Sequence, residues 1–241
     1  MGALPPGIRL VLFDAGNTLL FVDFPYLARA AQEVGANVTA AALRRSEVHA
    51  RIEMDRIVEQ ERGSTDASRW RQYFKVMLGE AGVADRQFEA MVPLLLARHQ
   101  KVGLWIHVRP WTKPVLETLR RAGYRMAVVS NADGRVESWL VAKTLGRYFE
   151  TVLDSHVVGV EKPDPRIFEM ALERTGFAAR EAIHVGDLYS VDVLGARRAG
   201  ITPVLLDPMQ AHPATDCLRI RGLSELTRLL PPRAPARPHA A

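Results

Sequence analysis

The sequence predicts an α/β protein: a parallel sheet covered on both faces, with a block of helices set into it. Three observations carry that reading. From Val108 onward, apolar runs of strand length alternate with helical segments, the rhythm of a parallel sheet joined by crossover helices. Between about Phe21 and His107 helix formers dominate, and no convincing strand appears. Ahead of that block, one apolar run ends on Asp14 and turns at once through Gly16-Asn17-Thr18. An α/β enzyme presents a reactive side chain in this way, at the carboxyl end of a buried strand.

After that first strand, Leu27, Ala30, Ala31 and Val34 recur at helical spacing and Gly35 closes the segment. Thr39 is placed to cap a long charged helix in which Glu47 and Arg51 form an i,i+4 pair. Trp70, Tyr73, Phe74, Met77 and Leu78 mark a third helix. Phe88, Met91, Val92, Leu95 and Leu96 mark a fourth, with Pro93 on its polar side as a kink or restart. Both stripes are expected to pack on each other rather than line a cofactor slot.

The alternating part then reads as a helix over 112–122, a buried strand over 124–129 stopping at Ser130-Asn131, and a helix over 133–145. A short strand over 151–153 and a loop over 158–165 lead into a helix ending near Gly176. A strand over 182–185 stops at Gly186-Asp187, followed by a helix to Gly200, a strand over 201–206 and a last helix over 223–230. The expected organisation is a discontinuous core, residues 1–20 and 108–232, a helical insertion over 21–107, and a disordered Pro- and Ala-rich tail over 233–241.

The 241 residues suffice for one large domain carrying a smaller insertion. No interior apolar run approaches the length of a membrane span, and the N-terminus lacks the charged start and long apolar stretch of a signal peptide. Cys217, the single cysteine, excludes an internal disulfide and fits a reducing, cytoplasmic compartment. The net charge of +5 is spread over scattered arginines and five lysines, without basic blocks or aromatic-basic alternation. A nucleic-acid partner is therefore not expected, and a small phosphorylated or carboxylated metabolite is. Oligomeric state is not readable.

Four strand ends carry polar groups: Asp14 with Thr18, Ser130, Lys162, and Asp187 with Asp192. In a parallel sheet these ends share one edge. Three carboxylates crowded there resist ionisation unless a cation sits among them, and oxygen donors without Cys or His favour Mg²⁺. Lys162 and the Ser130 and Thr18 hydroxyls suit a tetrahedral anion beside that metal, which makes carboxylate attack on a phosphoryl group the natural reaction.

With these motifs the chain resembles the haloacid dehalogenase (HAD) superfamily of hydrolases over nearly its whole length. The four motifs, in order, are Asp14-Ala15-Gly16-Asn17-Thr18-Leu19, then Val128-Val129-Ser130-Asn131, then Lys162 within Gly159-Val160-Glu161-Lys162-Pro163-Asp164-Pro165, and His184-Val185-Gly186-Asp187 continuing to Asp192. The resemblance implies a Rossmann-like core whose helical insertion is the family's cap subdomain. It also implies Asp14 as nucleophile, forming an aspartyl-phosphate, and Mg²⁺ held by Asp14, the Gly16 carbonyl, Asp187 and Asp192. Thr18, Ser130 and the Asn131 amide would bind the phosphoryl oxygens, and Lys162 would neutralise charge.

One position departs from the family's phosphatases. Where they carry a second Asp as general acid and base, this chain has Gly16. General acid-base catalysis is worth roughly 10² to 10⁴ in rate, so a slow phosphatase, or one with a leaving group that needs no proton, is expected. Halide needs none either, which keeps a metal-independent 2-haloacid dehalogenase open as an alternative. Phosphonate-cleaving chemistry would need a cap lysine such as Lys75 or Lys101. A non-catalytic binding protein is the third reading. Asp23 is a candidate replacement acid, Arg44 and Arg45 candidate anion contacts, and His107 and Arg109 a hinge. His184 is expected to be packed and hydrogen-bonded.

Overall fold

The computed structural model describes residues 4–61, 69–213 and 216–233. The first strand, β1 (Leu10–Phe13), is followed by a two-residue β2 (Phe21–Val22) and four helices: α1 (Phe24–Glu33), α2 (Ala40–Glu61), α3 (Trp70–Glu80) and α4 (Asp85–Lys101). The chain returns through β3 (Trp105–His107) to α5 (Thr112–Arg121), β4 (Arg125–Ser130), α6 (Val136–Ala142) and β5 (Val152–Asp154). It continues as α7 (Ser155–Val158), α8 (Pro165–Thr175), β6 (Ala182–Gly186), a π-helical turn Tyr189–Val193 and α9 (Leu194–Arg198). β7 (Thr202–Leu206), β8 (Leu218–Ile220) and α10 (Leu226–Leu229) close it. No described helix is long and apolar enough to cross a membrane.

Six strands form one parallel sheet in the order β5-β4-β1-β6-β7-β8. Strand side chains alternate between its faces. Val11 and Phe13 join Met126, Val128, Ile183 and Val185 in a core under α5, α6 and α10. Leu10 and Leu12 join Ala127, Val129 and Leu153 under α8 and α9. Burial on both faces is why these strands read as unbroken apolar runs. Because β4 and β6 flank β1 on opposite sides, the chain order reverses there, which in such sheets opens a crevice at the carboxyl ends.

The helices between β2 and β3 have a hydrophobic core of their own, built on Leu27, Leu43, Phe74, Met77, Phe88 and Leu95. Thr39 Oγ1 accepts from the Ala42 amide, as its sequence position predicts. α4 runs through Pro93 without interruption, because the proline sits on the exposed side.

Three strands correct the sequence expectation. β2 and β3 pair antiparallel at the two ends of the segment expected to hold no strand, and β8 extends the sheet edge. Each is only two or three residues long, too short to show a period. α6 is also shorter than expected, starting at Val136 rather than 133. Of the expected tail, residues 234–241 lie outside the described residues.

Candidate active site

Strand register assembles the site. Phe13 pairs with Val128 of β4 and Val185 of β6, so Asp14, one residue past β1, lies between Ser130 at the end of β4 and Asp187 just past β6. Asp14, Ser130, Lys162, Asp187 and Asp192 are all buried. With Gly16 and Asn131 they line one end of a cavity of about 190 Å³ between the sheet edge and the helical insertion.

Lys162 arrives on the loop before α8, where the Lys162–Pro163 peptide is cis. The Asn131 side chain clasps its main chain from both sides: Oδ1 accepts from the Lys162 amide at 2.8 Å, and Nδ2 donates to its carbonyl at 2.9 Å. Lys162 Nζ then donates to Asp14 Oδ1 and Asp192 Oδ1, both at 2.7 Å. Burial alone would discharge this ammonium, but the two carboxylates outweigh it and hold the lysine protonated, above its ordinary pKa. Burial likewise opposes the Asp192 charge, yet Lys162 and then His184 win and hold that carboxyl well below the usual range. His184 Nε2 lies 2.9 Å from Asp192 Oδ1, and the Leu188 amide donates to Oδ2 at 3.0 Å. Gly186 makes room for this arrangement, since a Cβ there would fall 2.1 Å from Asp192 Cγ.

Asp14 and Asp187 are less well compensated. Burial pushes the Asp14 carboxyl up to about 6, with Lys162 pulling it down and Asp192 pushing it further up. Burial pushes Asp187 well above the usual range, eased by Arg51 and aggravated by Asp14. Arg51 comes from α2, with Nε 2.8 Å from Glu47 and 3.9 Å from Asp187, and donates from Nη1 to the Leu206 carbonyl at 3.3 Å. The Glu47–Arg51 pair is thus a buried strut to the core rather than a surface pair. From Glu47 a chain of hydrogen bonds leads back to the first loop. Tyr73 donates to Glu47 at 3.0 Å, Asn17 donates to the Tyr73 hydroxyl at 3.1 Å, and Trp105 donates to Asn17 at 3.2 Å. Asn17 holds left-handed backbone (φ 52°), uncommon for a non-glycine residue and frequent at functional loops. A second strut is Asp55 of α2, which accepts from the Tyr189 amide at 2.9 Å, the Ser190 amide at 2.7 Å and the Ser190 hydroxyl at 2.5 Å.

A family model described as haloacid dehalogenase-like hydrolase matches residues 8–200. The chain belongs to this family. Mouse haloacid dehalogenase-like hydrolase domain-containing protein 3 is 31% identical over 240 residues, covering 93% of each chain. The glyceraldehyde 3-phosphate phosphatase of Methanopyrus kandleri is 30% identical over 205 residues, covering 82% of this chain and 83% of its own. Among solved structures, a dehalogenase aligns over 94% of this chain and 99% of its own, with a TM-score of 0.68 and 26% identity. The protein is a haloacid dehalogenase-like hydrolase with an α/β, Rossmann-like core.

Within that family assignment, the side chains expected at the site divide. Asp14, Ser130, Lys162, Asp187 and the Gly16 main chain meet on the cavity. Thr18 does not line it: its hydroxyl is fully buried and has no hydrogen-bond partner among the described residues. The Asn131 side chain is committed to the Lys162 main chain, and both Asp192 oxygens have protein partners. Among the described residues no three His, Cys, Asp or Glu side chains gather to hold a metal. The donors that remain are two buried carboxylates with too little compensating charge, Asp14 and Asp187, with Gly16 lining the same cavity. An all-oxygen set of this size fits Mg²⁺, which keeps several waters and takes only one or two carboxylates.

Asp23 is not a replacement acid. It caps α1 by accepting from the Tyr26 amide, pairs with Arg98 and His107, and does not line the cavity. Lys75 pairs with Asp85 and Lys101 is exposed, and neither lines the cavity. Arg44 and Arg45 are exposed. Conversely, Trp70, Tyr73 and Leu95, expected to pack only within the helices, line the cavity together with Arg51 and Trp105. The one sequence signal for any of these was the Glu47–Arg51 spacing, which is equally that of a solvated pair.

Proposed function

We propose that the protein is a Mg²⁺-dependent phosphomonoester hydrolase that works through an aspartyl-phosphate on Asp14. The carrying observation is the pairing of Asp14 with Lys162 at 2.7 Å beside a second buried carboxylate, Asp187, that lacks an adequate counter-charge. Lys162 takes Oδ1, orienting the carboxylate so that Oδ2 attacks phosphorus while the ester oxygen leaves; water then cleaves the acyl-phosphate and regenerates Asp14. Lys162 offsets the charge gathering on the phosphoryl oxygens, and Ser130 donates a hydroxyl to them. Asp14, Asp187 and the Gly16 carbonyl would hold the cation, which supplies charge neutralisation when bound. Asp192 and Asn131 act as positioning residues for Lys162, one at its ammonium and one at its main chain. The helices α1 to α4 act as a cap that closes the site. The kinship with a glyceraldehyde 3-phosphate phosphatase supports this reading.

The test is a phosphate-ester panel with Mg²⁺ and with EDTA, run beside Asp14→Asn. Hydrolysis that needs both Mg²⁺ and Asp14 is expected, and a panel without any turnover overturns the reading. Arg51 and Gly16 together favour a second one. A guanidinium 3.9 Å from Asp187 and the absence of a side chain at 16 also fit a metal-free hydrolysis of carbon-halogen bonds, in line with the solved dehalogenase. Halide release from a 2-haloacid in EDTA decides it.

A further inference from the structure

The cavity changes character along its length. Its floor is the polar cluster of Asp14, Ser130, Lys162 and Asp187, whereas its walls are Met54, Trp70, Leu95, Leu104, Trp105 and Trp139. The aromatic wall is itself tightly packed: the Trp105 ring lies 5.1 Å from Phe74 and 5.7 Å from Tyr73, and Trp139 packs edge-on to His99 at 5.5 Å. Most polar groups on the wall answer one another, Tyr73 and Trp105 through Asn17, Arg51 through Glu47, and His99 through Asp133 at 2.9 Å. This leaves His99 Nδ1 and Asp133 Oδ1 buried without a partner among the described residues. A polyol or amino-acid leaving group placed here would set most of its hydroxyl or ammonium groups against indole and leucine surface, a desolvation cost with few matching partners. An apolar ring would replace water at that surface with favourable contact.

The second observation is Gly16. Its backbone is not in the left-handed region, and a Cβ there would touch only the Trp105 ring, at 3.9 Å. Neither conformation nor space demands glycine, so the missing carboxyl acid is a feature of the chemistry rather than of the loop. A site without that acid favours a leaving oxygen that departs as an anion unaided. An aryl oxygen does so, with a conjugate acid near pKa of about 10, as in tyrosine.

Resting on the phosphatase reading above, we infer that the substrate is a phosphomonoester of an apolar aryl alcohol, with the phosphoryl group on Asp14 and Lys162 and the ring between Trp105 and Trp139. The experiment compares kcat/KM for 2-naphthyl, phenyl and glycerol phosphates in the Mg²⁺-loaded enzyme. Naphthyl and phenyl esters have leaving groups of similar acidity, so their ratio reads the wall rather than the chemistry. The second ring adds apolar area worth about tenfold in kcat/KM if fully buried. A naphthyl preference of that size is expected, shrinking towards unity in Trp139→Ala and in Leu96→Asn. Leu96 lines the cavity yet is 41% exposed, so its replacement leaves the fold intact should the tryptophan variant not survive.

A ratio near one in the wild type, or glycerol phosphate turned over as well as the naphthyl ester, overturns the substrate class while the phosphatase reading stands. No turnover of any ester or of the acyl phosphate acetyl phosphate overturns the phosphatase reading. Binding then separates the two ideas: quenching of tryptophan fluorescence by 2-naphthylphosphonate but not by methylphosphonate supports the apolar wall, and equal affinity removes it.

Discussion

Two buried carboxylates one residue past adjacent strands, Asp14 and Asp187, make this site costly to keep. Asp14 is ionised at neutral pH although burial has raised its pKa to about 6. The charged form is thus disfavoured in the folded state, and the deficit grows as pH rises from the unfolded value to about 6 and stays constant above it. Asp14→Asn is therefore expected to abolish turnover, by roughly 10³-fold or more, while raising stability at pH 7 by about 1–3 kcal/mol; single-turnover assays and thermal melts read the two halves. Gly16→Asp supplies a carboxyl at a position where an added Cβ would touch only the Trp105 ring. It is expected to raise kcat on alkyl phosphates by roughly 10- to 100-fold and to do much less for aryl esters, a contrast that a leaving-group series measures. Gly186→Ala has the opposite effect. Its methyl would collide with the Asp192 carboxylate and displace the hub that holds Lys162 and His184. A loss of about 1–3 kcal/mol is expected, with activity falling in step.

At the level of elements, the return from the helical insertion is held by a small ionic cluster. Asp133, ahead of α6, meets His99 of α4 and Arg135, and Arg135 Nη1 donates to the carbonyls of His99 and Gln100, both at 3.0 Å. Burial opposes the Asp133 charge, but His99 and Arg135 outweigh it and hold the carboxyl below its ordinary pKa. A depressed folded-state pKa contributes stability that is complete above pH of about 4 and disappears as pH falls through the lower folded value. Asp133→Asn should therefore lower Tm equally from pH 7 down to about 4 and have progressively less effect below that, which melts at pH 7, 4, 3 and 2 would show.

The same elements show what a sequence can carry. β1, β4 and β6 were readable because burial on both faces leaves an unbroken apolar run, and Asp14, Ser130 and Asp187 followed because each stands where such a run stops. β2, β3 and β8 were not, at two or three residues each. Arg51, Tyr73 and Trp105 escaped for another reason. Their helical or strand positions are ordinary, and only the docking of α2 and α3 over the sheet edge turns them to the cavity. Thr18, placed at the site by its motif, lies off the cavity because the turn at 15–20 folds back on the Ala15 carbonyl.

For the whole molecule, the proposed Mg²⁺ site implies that metal binding and protonation would compete for the same carboxylates. Mg²⁺ affinity should weaken by roughly tenfold per pH unit below about 6, since Asp14 must shed its proton first; titrations followed by tryptophan fluorescence at pH 5, 6 and 7.5 check this. Asp55 adds a kinetic side to the picture. It grips the Tyr189 and Ser190 amides, which begin the turn carrying Asp192, while Arg51, one helical turn earlier, reaches Asp187. On the proposed cap role, a lift of α2 that lets product out would strip hydrogen bonds from the very loop that aligns Lys162, and the site would have to re-form its alignment in each cycle. Departure of product, rather than bond cleavage, is then the expected slow step for reactive esters. Turnover of an aryl phosphate is expected to fall with rising solvent viscosity, and that sensitivity to disappear in Asp55→Ala as re-alignment becomes limiting.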